Sequence, residues 1–154
     1  MAIARGAGTE IIRSVIVNDI NGSSTTNLIY GVRHHIYTVL SVVVYCHTIA
    51  STGYSFYLDL LGYDSKTGTA QDTARIWKQP LAAQETAVFN DKFSFNGYEP
   101  VDFTGPIDSE AKQDAIADQL VSGDSNRQIL RCAGDHSTGD SHDVIVTYID
   151  QNNA

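Results

Sequence analysis

The chain has 154 residues, 42% hydrophobic and 18% charged, with a formal net charge of −8. That length suits one domain with a core large enough to need no disulfide staples, and a charged fraction below the roughly 25% of an average soluble domain implies surface covered by partner subunits. Ten Lys and Arg with no basic cluster leave no concentrated positive charge for a nucleic-acid groove.

Residues 1–9 are small, Gly-containing and without period, and read as an extended N-terminal arm. The opening MAIARGAGTEII lacks the continuous apolar stretch of a secretory signal, so synthesis and folding in a cytoplasm are expected. EIIRSVIVNDI follows, dense in β-branched residues, and is predicted as a strand. DINGSSTTN has turn chemistry, and NLIYGV is a short strand. HHIYTVLSVVVYCHTI carries the strongest strand signal. Tyr37, Val39, Ser41, Val43 and Tyr45 are expected on one face, and Ile36, Leu40, Val42 and Val44 on the other. A strand apolar on both faces is buried on both, by a second sheet or another subunit. Its apolar run is far short of a membrane span.

YSFYLDLLGYD has period two, with Phe56, Leu58 and Leu60 opposite Ser55, Tyr57 and Asp59. DSKTGTAQD is a loop. TARIWKQP contains the sole Trp77 and stops at Pro80, which has no amide hydrogen for a ladder. In TAVFNDKFSFNG, Val88 and Phe89 precede Asn90–Asp91, and Phe93 and Phe95 follow. This predicts a tight turn between two short strands, or one strand broken by a bulge.

The segment at about 99–126 reads as an insertion: a Pro-containing loop, then a short surface helix. Asp108 or Ser109 is placed to cap it and Gly123 to end it. NRQILRCA and HDVIVTYID are the last strands. In the latter, Val144, Val146 and Tyr148 alternate with Ile145, Thr147 and Ile149, which predicts burial on both faces. Residues 151–154 form a tail.

Strands in neighbouring pairs without βαβ alternation predict an all-β fold at 10–150, an antiparallel β-sandwich that is jelly-roll-like, with one short helix in the late insertion. Core or subunit-interface positions are expected at Val39, Val42 and Val44, at Phe56 and Leu58, at Phe89, Phe93 and Phe95, and at Val144 and Val146.

Chemistry-bearing residues concentrate in GDHSTGDSHD. Asp135, His136, Asp140, His142 and Asp143 are divalent-metal ligand types, yet their spacing fits neither a calcium loop nor a zinc helix. The plainer reading is a solvated hairpin loop. His34 and His35, and likewise Cys46 and His47, are adjacent in a strand and point to opposite faces, so neither pair chelates easily. Cys46 and Cys132, at unmatched spacing in apolar runs, read as small buried thiols, with a disulfide as the alternative. Asp-His-Ser in sequence cannot converge as a triad. No nucleotide-binding, hydrolase or metalloprotease motif is present. No catalytic residue and no cofactor are therefore assigned. Exposed Trp77, Tyr54 and Tyr57 would mark a glycan-binding platform.

HIYTVLSVVVYCHTIASTGYSFYLDLLGYD, IWKQPLAAQETAVFNDKFSFNGYE and SHDVIVTYID together resemble, in their order of strands and turns, the small β-sandwich virion proteins of tailed bacteriophages. The likeness covers roughly 35–150, with 99–126 as an extra insertion. It implies a non-enzymatic structural subunit of the virion. That subunit is a capsid decoration or cement protein, or alternatively a tail, neck or appendage component with a host-glycan role. Its implied partners are itself, as a homotrimer, and the major capsid protein or other virion proteins, with no nucleic acid and no membrane.

Overall fold

β-branched and aromatic residues dominate the extended runs, and the structure, a computed structural model, places each run in a strand. It describes residues 9–21, 23–50, 53–62, 72–98, 109–111, 113, 127–135 and 139–152. Residues 1–8 of the expected arm, most of the 99–126 segment and His136 lie outside the described residues, and of the expected helix only 109–111 and 113 are described; Thr9, expected in the arm, and Gln151 and Asn152, expected in the tail, belong to strands. The strands are β1 (Thr9–Asn21), β2 (Thr26–Tyr30), β3 (His35–Thr48), β4 (Ser55–Gly62), β5 (Asp72–Pro80), β6 (Thr86–Phe89), β7 (Phe93–Asn96), β8 (Ile129–Gly134) and β9 (Ser141–Asn152).

Among the described residues, all pairings are antiparallel. A five-stranded sheet has the order β1-β9-β3-β6, with β7 also on β3, and a four-stranded sheet has the order β2-β8-β4-β5. The pairing is nested. The first strand lies beside the last, β2 beside β8, β3 beside β6 and β7, and β4 beside β5. Apart from the β4–β5 hairpin and the β6–β7 step, each connection crosses from one sheet to the other.

One core lies between the sheets. Val39, Val42 and Val44 of β3 and Val144 and Val146 of β9 meet Phe56 and Leu58 of β4 and Leu130 and Cys132 of β8, all fully buried. Each such side chain contributes about 1.5–3 kcal/mol on burial. Phe95 is buried, and Phe89 and Phe93 are partly buried against the same core. Ring centroids step from Phe56 to Trp77 (5.7 Å), Phe89 (5.4 Å), Phe93 (6.1 Å) and Phe95 (6.4 Å). This row of rings closes the layers on the β5–β6 side. Cys46 and Cys132 are free, buried thiols; burial pushes Cys132 up to about 12.

Two local features differ from the sequence reading, and a third selects one of its alternatives. The strict alternation expected along β3 fails, because its register shifts between Val39 and Ser41. Leu40 is the extra residue, so Tyr37 and Val39 before it and Val42, Val44 and Cys46 after it all face the core. β9 buries only one face: His142, Val144, Val146, Tyr148 and Asp150 point inward, and Ile145 is exposed. β6 and β7 do not form a hairpin. Both pair with β3, β6 at Val42–Tyr45 and β7 at Ile36–Val39, as one strand interrupted at Asn90–Lys92. Near the other end of β7, the chain crosses beside Gly31, whose absent Cβ would collide with the Gly97 carbonyl oxygen.

Candidate functional site

Alternation along β9 separates the residues of GDHSTGDSHD. Asp135 follows β8 and ties its end to β4, accepting from the Ser55 N–H (2.8 Å) and the Tyr57 hydroxyl (2.7 Å). Asp140 is buried and accepts from the Ala50 N–H at 2.6 Å. His142 faces the core, with Nδ1 2.8 Å from the Tyr54 hydroxyl and the Phe56 ring edge-on at 5.5 Å. Desolvation lowers its pKa from 6.5 to about 4, so the imidazole is neutral. Asp140 Oδ2 and His142 Nε2 are buried without a hydrogen-bond partner among the described residues, each costing about 1–3 kcal/mol.

Asp143 points to the opposite face and meets two residues that the sequence reading did not select. Asp19 lies where the β1 register shifts between Val17 and Ile20, with φ at 52°. Asp tolerates this left-handed conformation better than most residues, and it turns the Asp19 N–H onto Asp143 Oδ1 at 2.8 Å. His47 Nε2 lies 2.7 Å from Asp143 Oδ2. One donor atom from each of Asp19, His47 and Asp143 falls within 4.8 Å of the others. Two carboxylates and an imidazole on three adjacent strands have the donor chemistry of a divalent-cation site. As it stands, both Asp143 oxygens already accept or share hydrogen bonds. A second polar cluster joins the same strands: His35 Nδ1 and Arg13 Nε reach Asp150 at 2.6 and 3.1 Å.

The larger feature is the outer face of the five-stranded sheet. Strand register sets Ile16 beside Ile145, Ile145 beside Val43, and Val43 beside Val88. A second row runs Ile12, Ile149, Thr38, Ser94, and between the two lie Ser14, Thr147 and Ser41. None of these side chains is charged. Ile12 is 70% exposed, Ile16 62%, Val88 50% and Ile145 38%. Glu10 borders the face at one end and the Asp19–His47–Asp143 cluster at the other.

The residues nominated for a glycan platform do not assemble. Tyr54 is in the core, Trp77 packs between Phe56 and Phe89, and Tyr57 lies under the Arg75 guanidinium at 3.7 Å.

No family model matches the sequence, and no curated protein matches it. Among solved structures, the chain is similar to a subunit from work described as "Bacillus endospore appendages form a novel family of disulfide-linked pili". The TM-score is 0.45 and the identity 10%, over 100% of this chain and 97% of that one. At those values the likeness carries no functional argument.

Proposed function

We propose that this chain is a non-enzymatic structural subunit that builds a particle or appendage by self-association. The observation that carries the reading is the uncharged outer face of the five-stranded sheet, with Ile16, Ile145, Val43 and Val88 in one row across four strands. Exposed contiguous apolar surface marks interaction sites in soluble proteins, and a net charge of −8 elsewhere keeps the free subunit dispersed. The nested strand order supports a jelly roll once β6 and β7 are counted as one interrupted strand, an architecture that viral capsid subunits share with lectin domains. The commitment of Asp135, Asp140 and His142 to bonds that tie strands and loops together supports a structural role.

The sequence resemblance makes the finer form of this reading a decoration or cement subunit on a tailed-phage capsid, bound to itself and to the major capsid protein. A tail, neck or appendage location is the alternative. Light scattering of the tag-free protein across a concentration series tests the core of the reading. An assembly larger than one chain is expected, and a trimer is the form the resemblance implies. A monomer at every concentration would overturn self-association. Labelling of purified particles then distinguishes a capsid from a tail location.

A further inference from the structure

Every open sheet has edges, and natural proteins protect them with charge, proline, interruption or shortness. Three edges here are protected in that way. β5 carries Arg75 and Lys78 and ends at Pro80. β2 has only five residues, with a register shift inside it. β6 and β7 are separated by Asn90, Asp91 and Lys92.

The β1 edge is the least protected of the four: over Ile11–Val17 it is long, without proline and without interruption. Among the described residues, β1 pairs with β9 alone, and its run Ile11–Val17 is regular until the shift before Ile20. That run has no Pro and no Lys. Its one charged side chain, Arg13, reaches back to Asp150. Ile11, Ile12 and Ile16 are all exposed.

The run is also self-complementary. A two-fold axis through Ser14 sets Ile11 against Val17 of a second copy, Ile12 against Ile16, Arg13 against Val15, and Ser14 against itself. No charge then meets a like charge. An axis at Arg13 would oppose two guanidinium groups, which is destabilising across strands. An axis at Val15 would put Ile12 against Asn18 and Ile16 against Ser14. In the Ser14 register the Ile12–Ile16 pairs lie on the outer side, continuous with the uncharged face.

We propose that the free edge of β1 pairs antiparallel with β1 of a second copy about a two-fold axis at Ser14, joining two five-stranded sheets into one. The pairing deepens the self-association reading above and rests on it. Such a contact is isologous, the same run of β1 serving on both copies.

Cysteine cross-linking tests the register. Opposed residues on antiparallel strands lie about 4.5–5.5 Å apart between Cα atoms, within disulfide range. Cys46 and Cys132 are buried and do not compete. With oxidised glutathione, Ser14→Cys is expected to give a disulfide-linked dimer, whereas Ile12→Cys alone gives none and a mixture of Ile12→Cys with Ile16→Cys gives the mixed dimer. Amide exchange over residues 11–17 should slow as protein concentration rises. Self-association by light scattering with no Ser14→Cys dimer and no such slowing would overturn the edge pairing and leave the self-association reading standing. Equal cross-linking of Ser14→Cys and Ile12→Cys would also overturn it, as random collision. A monomer at all concentrations would overturn both.

Discussion

The two sheets turn very different backs to the solvent. The outer side of the four-stranded sheet carries Asn27, Arg131, Asp59, Arg75, Tyr57 and Lys78 on neighbouring strands. Arg75 donates from Nε to Asp59 at 3.0 Å and lies over the Tyr57 ring, and Arg131 donates to Thr73 at 2.9 Å. The outer side of the five-stranded sheet offers Ile, Val, Thr and Ser over the same width. Both sheets bury their inner faces in one core, so core formation does not explain the difference. A charged, hydrogen-bonded sheet face is satisfied in water, whereas an uncharged one gains free energy only when something covers it.

The largest perturbation removes what the two sheets share. Phe56→Ala, from a fully buried side chain at the centre of the core, should cost about 3–5 kcal/mol. Urea denaturation reads this, and an unchanged midpoint would contradict the core assignment. Phe93→Ala, only partly buried, should cost clearly less than Phe56→Ala in the same assay.

Acid acts on the inner face too. His142 has a folded pKa near 4, below its ordinary 6.5. Between those values the unfolded chain binds a proton that the folded chain does not, so stability rises with pH through that window. The contribution is complete above about pH 6.5 and is lost as pH falls through about 4, on the order of 3 kcal/mol in all. Comparing wild type with His142→Gln at pH 7, 6, 5 and 4 isolates this residue. Parallel curves would show that His142 does not carry it.

On the charged back, Arg75→Ala uncovers the buried Asp59 carboxylate. Since the guanidinium itself is half exposed, the expected cost is about 1 kcal/mol, with no change in association. The smallest effect on stability sharpens the contrast most. Ile145→Lys gives the uncharged back the character of the other sheet. Stability should stay within about 0.5 kcal/mol, while self-association falls. Loss of stability without loss of association would assign Ile145 to the fold rather than to an interface.

The existence and type of nearly every strand was legible in the sequence, because β-branched density, turn residues and Pro80 are local signals. The site was legible only in part. Asp143 was one of five candidate ligands in a single segment, but Asp19 and His47, on strands far away in sequence, carried no mark that they would meet it. Their convergence depends on β1 and β3 flanking β9 in one register.

The sequence by itself determined that this protein is all-β, the order in which its strand runs follow one another, and which residues are apolar enough to form a core. The tertiary structure decided which apolar residues the core takes. One extra residue at Leu40 reverses the parity of the rest of β3, and a shift at Asn18–Asp19 turns a backbone amide onto Asp143. β9 keeps Val144 and Val146 inside and leaves Ile145 outside. Period two is written in each strand alone, whereas the face that is buried depends on pairing with strands more than a hundred residues away, and a single bulge resets it.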